Sequence, residues 1–153
     1  MKKKIKICLI SSSGGHYEQL SMLKKLKDRY DVYIITEKTD YETECKYTLS
    51  PSSKNKLLSY IKFALNILKS LYLFIKERPD VVISTGSRVA IPTVFFAHLF
   101  KKKVIYIETF ARVHDGTRAA KLVYKYHLYD MFVYQWKQLE KLYPDGVYGG
   151  GIY

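Results

Sequence analysis

With 153 residues the chain is long enough for one domain with a proper core, and 26 Lys and Arg against 14 Asp and Glu give it a formal net charge of +12 at pH 7. Such a surface attracts polyanions, of which nucleic acid is disfavoured: no basic region of a known binding motif is present, and the aromatics sit inside apolar runs. The two cysteines, Cys8 and Cys45, have neither CxxC nor His-paired spacing, which weighs against a metal site or disulfide framework and points to reduced cytosolic thiols.

The chain opens on Lys4–His16, KIKICLISSSGGH. Ile5, Ile7, Cys8, Leu9 and Ile10 form a short apolar run that fits a strand buried on both faces of a parallel sheet. The run is too short for the apolar core of a secretion signal despite the lysines before it, so the sequence predicts a chain that is not exported. Ser11, Ser12, Ser13, Gly14 and Gly15 then allow a tight turn, and the spacing of Leu20, Leu23 and Leu26 predicts a helix to about Arg29. A helix start preceded by glycines gathers free N–H groups, so Ser12, Ser13, Gly14 and Gly15 are candidate phosphate contacts with His16 at their mouth. The loop is neither G-x-G-x-x-G nor a P-loop. A plain strand-to-helix turn with a solvated His16 is the alternative.

Asp31–Thr36 reads as a second strand, Glu37–Glu44 as a solvated connection and Lys46–Leu49 as a short edge strand. A helix follows with Ser52 or Ser53 as N-cap. Within Lys54–Arg78, Asn55, Ser59, Lys62, Asn66, Lys69 and Lys76 gather in one polar stripe broken by Leu73, and apolar residues cover a wider arc than one packed face needs. Lysines within the segment disfavour a full transmembrane span, each costing about 2.5–3.5 kcal/mol at the bilayer centre. An in-plane membrane or partner helix fits better, with Lys62, Phe63, Ile67, Lys69 and Phe74 as candidate contacts. A buried crossover helix is the alternative.

Pro79 ends that helix and Asp80–Ser84 reads as the next strand, followed by Thr85-Gly86-Ser87-Arg88 and an apolar helix over Val89–Phe100 in which His98 reads as a core or boundary residue. Lys103–Ile107 is another strand, delivering Glu108-Thr109-Phe110-Ala111-Arg112 to its carboxyl end, where ligands bind in open α/β sheets. A helix from about Thr117, a strand over Tyr129–Val133 and a terminal helix with Trp136, Leu139, Leu142 and Tyr143 on one face complete the pattern. Alternating strand and helix signals predict an α/β fold with a doubly wound parallel sheet.

The S-S-G-G-H loop after the first strand resembles the opening motif of acceptor-side domains in GT-B glycosyltransferases such as the peptidoglycan transferase MurG. The I-E-T-F-A-R run at Ile107–Arg112 resembles a string of the PssD/CpsF-type family, the acceptor-side subunits of split GT-B enzymes, which includes the eukaryotic membrane-anchoring subunit of a UDP-N-acetylglucosamine transferase. The resemblance spans nearly the whole chain and implies a Rossmann-like N-terminal GT-B half as a single domain over residues 1–153, without the donor-binding half. It implies a cytoplasmic subunit, peripheral on the inner face of the cell membrane, that holds a polyprenyl-diphosphate-linked sugar for capsule or exopolysaccharide synthesis. The UDP-sugar donor would sit on a separate catalytic subunit, with no cofactor or metal held by this chain, and no activity is expected from the chain alone.

By the same resemblance Thr85, Gly86, Ser87 and Arg88 face the acceptor diphosphate, Arg88 supplying a phosphate fork or serving as a surface arginine. Glu108 anchors the acceptor sugar or its own loop, and Arg112, near His114 and Arg118, meets phosphate. His16 is the candidate general base, since an imidazole can accept a proton near neutral pH. A self-sufficient nucleotide-binding α/β enzyme and a scaffold that only recruits a transferase are the competing classes.

Overall fold

A computed structural model describes residues Lys4–Ile152. The lysines at positions 2 and 3, which enter the export argument, and the final Tyr153 lie outside the described residues. Seven strands form one all-parallel sheet: β1 Lys6–Ile10, β2 Asp31–Glu37, β3 Tyr47–Leu49, β4 Val81–Ser84, β5 Lys103–Ile107, β6 Met131–Tyr134 and β7 Val147–Tyr148, in the order β3-β2-β1-β4-β5-β6-β7. The order reverses between β1 and β4, which places a crevice at their carboxyl ends. The short apolar runs pair as buried strands, with Ile7 beside Val81 and Leu9 beside Ile83. Cys8, Leu9 and Ile10 are inaccessible because both faces of β1 are covered.

Helix α1, Gly15–Ser21, is shorter than predicted: the chain tightens into a 3-10 segment at Met22–Asp28. Leu20 seals one sheet face against Leu9, Ile34 and Ile83, with Leu23 and Leu26 packed at the edge of that cluster. The other face is covered by α2 Lys56–Glu77, α3 Ile91–Leu99 and α4 Arg118–Lys125. The predicted terminal helix is a 3-10 turn at Lys137–Lys141, from which Leu139 still reaches the core, as does Tyr143 beyond it.

Helix α2 departs most from the pattern. Its N-cap is Asn55, whose side chain accepts from the Leu58 N–H, and not Ser52 or Ser53. By length and composition it is apolar enough to cross a membrane, yet the stripe it buries against the body is largely polar: Asn66, Ser70 and Glu77 with Leu73 and Phe74. Asn66 clasps Ser50 by accepting from its N–H at 2.9 Å and donating to its carbonyl at 2.8 Å. Lys69 is exposed, while Lys62 and Phe63 are half-buried against the body. Phe74, predicted as a membrane or partner contact, is buried and stacks on Phe100 at 5.5 Å. The apolar arc faces outward instead, with Leu57 71%, Tyr60 69% and Leu68 66% exposed.

The carboxyl end of α2 is pinned by Glu77, whose side chain is 5% exposed. Lys6 Nζ and Lys46 Nζ each lie 2.8 Å from its carboxylate, and the Tyr47 hydroxyl donates to it as well. Burial alone raises this carboxyl, but the hydrogen bonds from Lys46, Lys6 and Tyr47 outweigh it and hold the group at about 2, against an ordinary 4.5. Because the folded state lowers the value, the stability Glu77 contributes is complete above about pH 4.5 and is lost as pH falls toward about 2. Urea unfolding across that window is expected to show a steeper loss of midpoint in the native chain than in Glu77→Gln; parallel slopes would contradict the assignment.

Candidate functional site

The site lies at the switch point, built from the loops that leave β1, β4 and β5. His16, in the first turn of α1, reaches across to the β4 loop: its Nδ1 is 2.8 Å from the Thr85 carbonyl oxygen, and the Thr85 hydroxyl donates to the His16 carbonyl at 2.7 Å. A carbonyl only accepts, so Nδ1 carries the proton; in the neutral ring the lone pair then lies on Nε2. Gly86 makes this approach possible. A Cβ there would stand 3.0 Å from His16 Cε1 and 3.1 Å from Nδ1, and its φ of +110° suits glycine alone. Ser87, at φ 86°, holds a second left-handed position at a cost of about 1–3 kcal/mol.

The loop of Ser12, Ser13, Gly14 and Gly15 leaves β1 for α1, and the chain itself engages part of it. The Ser13 N–H and hydroxyl donate to Glu37 Oε2 at 3.4 and 3.2 Å, and the Gly14 N–H donates to the Tyr41 hydroxyl at 2.9 Å. Ser12 donates its hydroxyl to the Ser13 carbonyl, while Gly14 and Gly15 border open space. Neither Glu37 nor Tyr41 was singled out by sequence. Glu37 ends the strand beside β1, and that adjacency is the one signal pointing to it.

Arg88 does not turn into the crevice. Its guanidinium donates to the Ser52 and Ser59 hydroxyls at 3.0 and 2.8 Å and lies 5.2 Å from the centre of the Phe63 ring, tying the β4 loop to α2. Arg112 is exposed and paired with Asp115 at 3.0 Å. His114 and Arg118 are exposed on and beside the same loop. His98, read as a core or boundary residue, is also exposed.

Glu108 takes the loop-anchoring role of its two readings. It is 1% exposed and accepts from the Thr109 N–H, the Thr117 N–H and hydroxyl, and the Tyr143 hydroxyl, at 2.9 to 3.1 Å. Thr117 is the N-cap of α4, so this carboxylate fixes where that helix starts. Burial first, and the Glu108 charge second, push the Tyr143 hydroxyl well above its usual range and keep it a donor. Gly116 is required here by space, since a Cβ would meet the Tyr143 hydroxyl at 1.8 Å. Beside it, Gln19 from α1 and Gln135 beyond β6 form a second buried network. Gln135 donates to Gln19 at 3.0 Å and to the Glu108 carbonyl at 2.9 Å, and Gln19 donates to the Thr109 hydroxyl at 3.2 Å.

Among the described residues no group of His, Cys, Asp and Glu is placed to hold a metal ion. Glu108→Gln would turn an amide N–H₂ against these donors and is expected to cost about 2–3 kcal/mol of unfolding free energy, with Gly116→Ala also destabilising. Native stability of Glu108→Gln in urea would contradict the anchoring role.

The family described as "Oligosaccharide biosynthesis protein Alg14 like" matches residues 51–152. The chain is 26% identical over 184 residues to the Homo sapiens UDP-N-acetylglucosamine transferase subunit ALG14, covering 99% of this chain and 84% of the relative. It is 28% identical over 180 residues to the Candida albicans protein of the same name, covering 97% and 80%. The Pelagibacter ubique UDP-N-acetylglucosamine--N-acetylmuramyl-(pentapeptide) pyrophosphoryl-undecaprenol N-acetylglucosamine transferase is 31% identical over 120 residues, covering 71% of this chain and 33% of the relative.

Among solved structures, Acinetobacter baumannii MurG superposes with a TM-score of 0.69 at 13% identity, covering 88% of this chain. A UDP-N-acetylglucosamine 2-epimerase from Rickettsia bellii superposes with a TM-score of 0.71 at 15% identity, covering 93%. The chain spans 42% of each of those structures, and at such identity the likeness shows the fold: the Rossmann-like, doubly wound sheet of a GT-B half. With that fold, and with the family match running from Pro51 to Ile152, the chain belongs to the Alg14-like oligosaccharide biosynthesis proteins.

Proposed function

We propose that this chain is the acceptor-binding, membrane-associating subunit of a two-component glycosyltransferase. It extends a polyprenyl-diphosphate-linked saccharide in capsule or exopolysaccharide synthesis, with the UDP-sugar on a separate donor-binding catalytic subunit. The observation that carries the reading is His16: its Nδ1–H donates to the Thr85 carbonyl, which leaves Nε2 as a proton acceptor at the crevice of the sheet. Near-full-length likeness to proteins named as transferase subunits supports the division of labour.

In this reading the acceptor hydroxyl loses its proton to His16 Nε2 as its oxygen bonds to the anomeric carbon of the donor. The bond from that carbon to the UDP oxygen breaks and UDP leaves, so the transfer inverts configuration with no covalent intermediate. The acceptor diphosphate lies over the loops at Ser12–Gly15 and Thr85–Ser87, displacing Tyr41 from Gly14. Exposed Arg112, after leaving Asp115, and Arg118 supply positive charge at the rim, with His114 beside them.

The outward face of α2 supports an in-plane membrane contact: Leu57, Tyr60, Leu68 and Tyr72 are each more than 60% exposed on one helix of a chain with a formal charge of +12. Reconstitution tests the whole reading. With membranes bearing the acceptor and a UDP-sugar, transfer is expected when a donor-side protein is added and not from this chain alone. His16→Ala is expected to lower turnover about 100-fold or more while the subunits still assemble. Transfer by the chain alone would overturn the split-enzyme reading, and full turnover of His16→Ala would remove the base.

A further inference from the structure

The buried residues of α2, from Asn66 to Glu77, all fall in its second half. Over residues 56–65 none is buried, and only Ser59, Lys62 and Phe63 are half-buried. Among the described residues, the side-chain hydrogen bonds that tie this half to the body come from Arg88. Its Nη2 donates to Ser59 Oγ at 2.8 Å and to Ser52 Oγ, ahead of the helix, at 3.0 Å. The guanidinium carbon lies 5.2 Å from the centre of the Phe63 ring. A charged donor makes such bonds firmer than a neutral one would.

At its other end Arg88 belongs to the loop that orients His16. Three residues before it, the Thr85 carbonyl accepts the His16 Nδ1–H at 2.8 Å. Between them stand Gly86 at φ 110° and Ser87 at φ 86°. Ser87 holds its left-handed conformation without a side-chain capping bond, and such a residue persists only where its neighbours fix it. On one side Thr85 is fixed by its two bonds with His16. On the other, Val89 and Ala90 anchor the chain in the core, and Arg88 braces its outer side on α2.

We propose that Arg88 is a positioning residue for His16. By bracing the β4 loop against α2 it keeps the Thr85 carbonyl on the Nδ1–H and leaves Nε2 free to accept a proton. In this arrangement Arg88 touches no substrate, which distinguishes it from a phosphate ligand. Its effect on turnover rests on the acceptor-subunit reading, whereas its effect on the protonation of His16 does not.

The test is nitrogen-15 NMR of the full chain, read on neutral His16, with urea midpoints to show that each variant is folded. Arg88→Met is expected to lower the ratio of Nδ1–H to Nε2–H about tenfold, through loss of two hydrogen bonds and a cation–π contact. Ser52→Ala with Ser59→Ala, which leaves Arg88 in place, is expected to reproduce that shift. Ser52→Thr with Ser59→Thr, which keeps both hydroxyls, is expected to preserve the native ratio. Arg88→Lys keeps the charge without the fork and is expected to shift the ratio as well. In the reconstituted complex, Arg88→Met and the double alanine variant are each expected to lower kcat severalfold at unchanged KM for the acceptor.

A native tautomer ratio in folded Arg88→Met would overturn the proposal. So would a raised acceptor KM at native kcat in Arg88→Met, rescued by Arg88→Lys and absent from the double alanine variant, since that pattern belongs to a phosphate contact. If the complex transfers sugar alongside either result, the acceptor-subunit reading stands and only the positioning role falls. A shifted ratio in Arg88→Met and in the double alanine variant, with no transfer under any donor-side protein, would support the positioning role and overturn that reading.

Discussion

Two hydrogen bonds between His16 and Thr85 join loops that are 69 residues apart in sequence, across the point where the strand order reverses. Each partner gives one bond and takes one, so neither the first turn of α1 nor the exit of β4 can shift alone. The backbone of the β4 loop is shaped around that contact, with Gly86 and Ser87 both at positive φ. A short helix of seven residues has little stability of its own. What holds its first turn in place is this pair, together with Leu20 below and Gln19 toward the β5 loop.

Beneath the crevice the supports are polar and buried, an arrangement that demands completeness. Glu108 satisfies four donors, and the Gln19 and Gln135 amides bridge α1, the β5 loop and the segment after β6. Inside a protein a half-satisfied network is worse than an apolar core, whereas a complete one fixes geometry. On α2 the buried Ser70 hydroxyl has no partner among the described residues, and two other polar residues carry the attachment. Asn66 and Glu77 secure it to Ser50 and to Lys6 and Lys46, which frees its leucines and tyrosines for the outside.

The strands were legible because a parallel sheet covered on both faces selects unbroken apolar runs, as in Ile7–Ile10 and Val104–Ile107. The crevice followed from the alternation of elements, and with it the neighbourhood of Ser12–His16, Thr85–Ser87 and Glu108. The orientation of α2 was not legible. Periodicity finds the stripe of Ser59 and Asn66 but says nothing of which side meets the body, and the partners that bury it, Ser50, Lys46 and Lys6, lie far off in sequence. Phe74 was misplaced for the same reason. Between a phosphate fork and a surface arginine the sequence did not choose for Arg88, because the two serines and the ring that receive it in this structure lie 25 to 36 residues earlier in the chain. The roles of Gly116 and Tyr143 were hidden because a steric need for glycine leaves no local signature.

Everything chemical in this account depends on which ring nitrogen of His16 carries the proton. Nitrogen-15 NMR of the histidine side chains reads that directly through the distinct shifts and couplings of protonated and unprotonated ring nitrogens. In the neutral state His16 is predicted to be the Nδ1–H tautomer with a bare Nε2, unlike the more exposed His98 and His114, whose rings are not held in this way. A neutral His16 carrying its proton on Nε2 would contradict the account, because the nitrogen assigned to receive the acceptor proton would already be occupied.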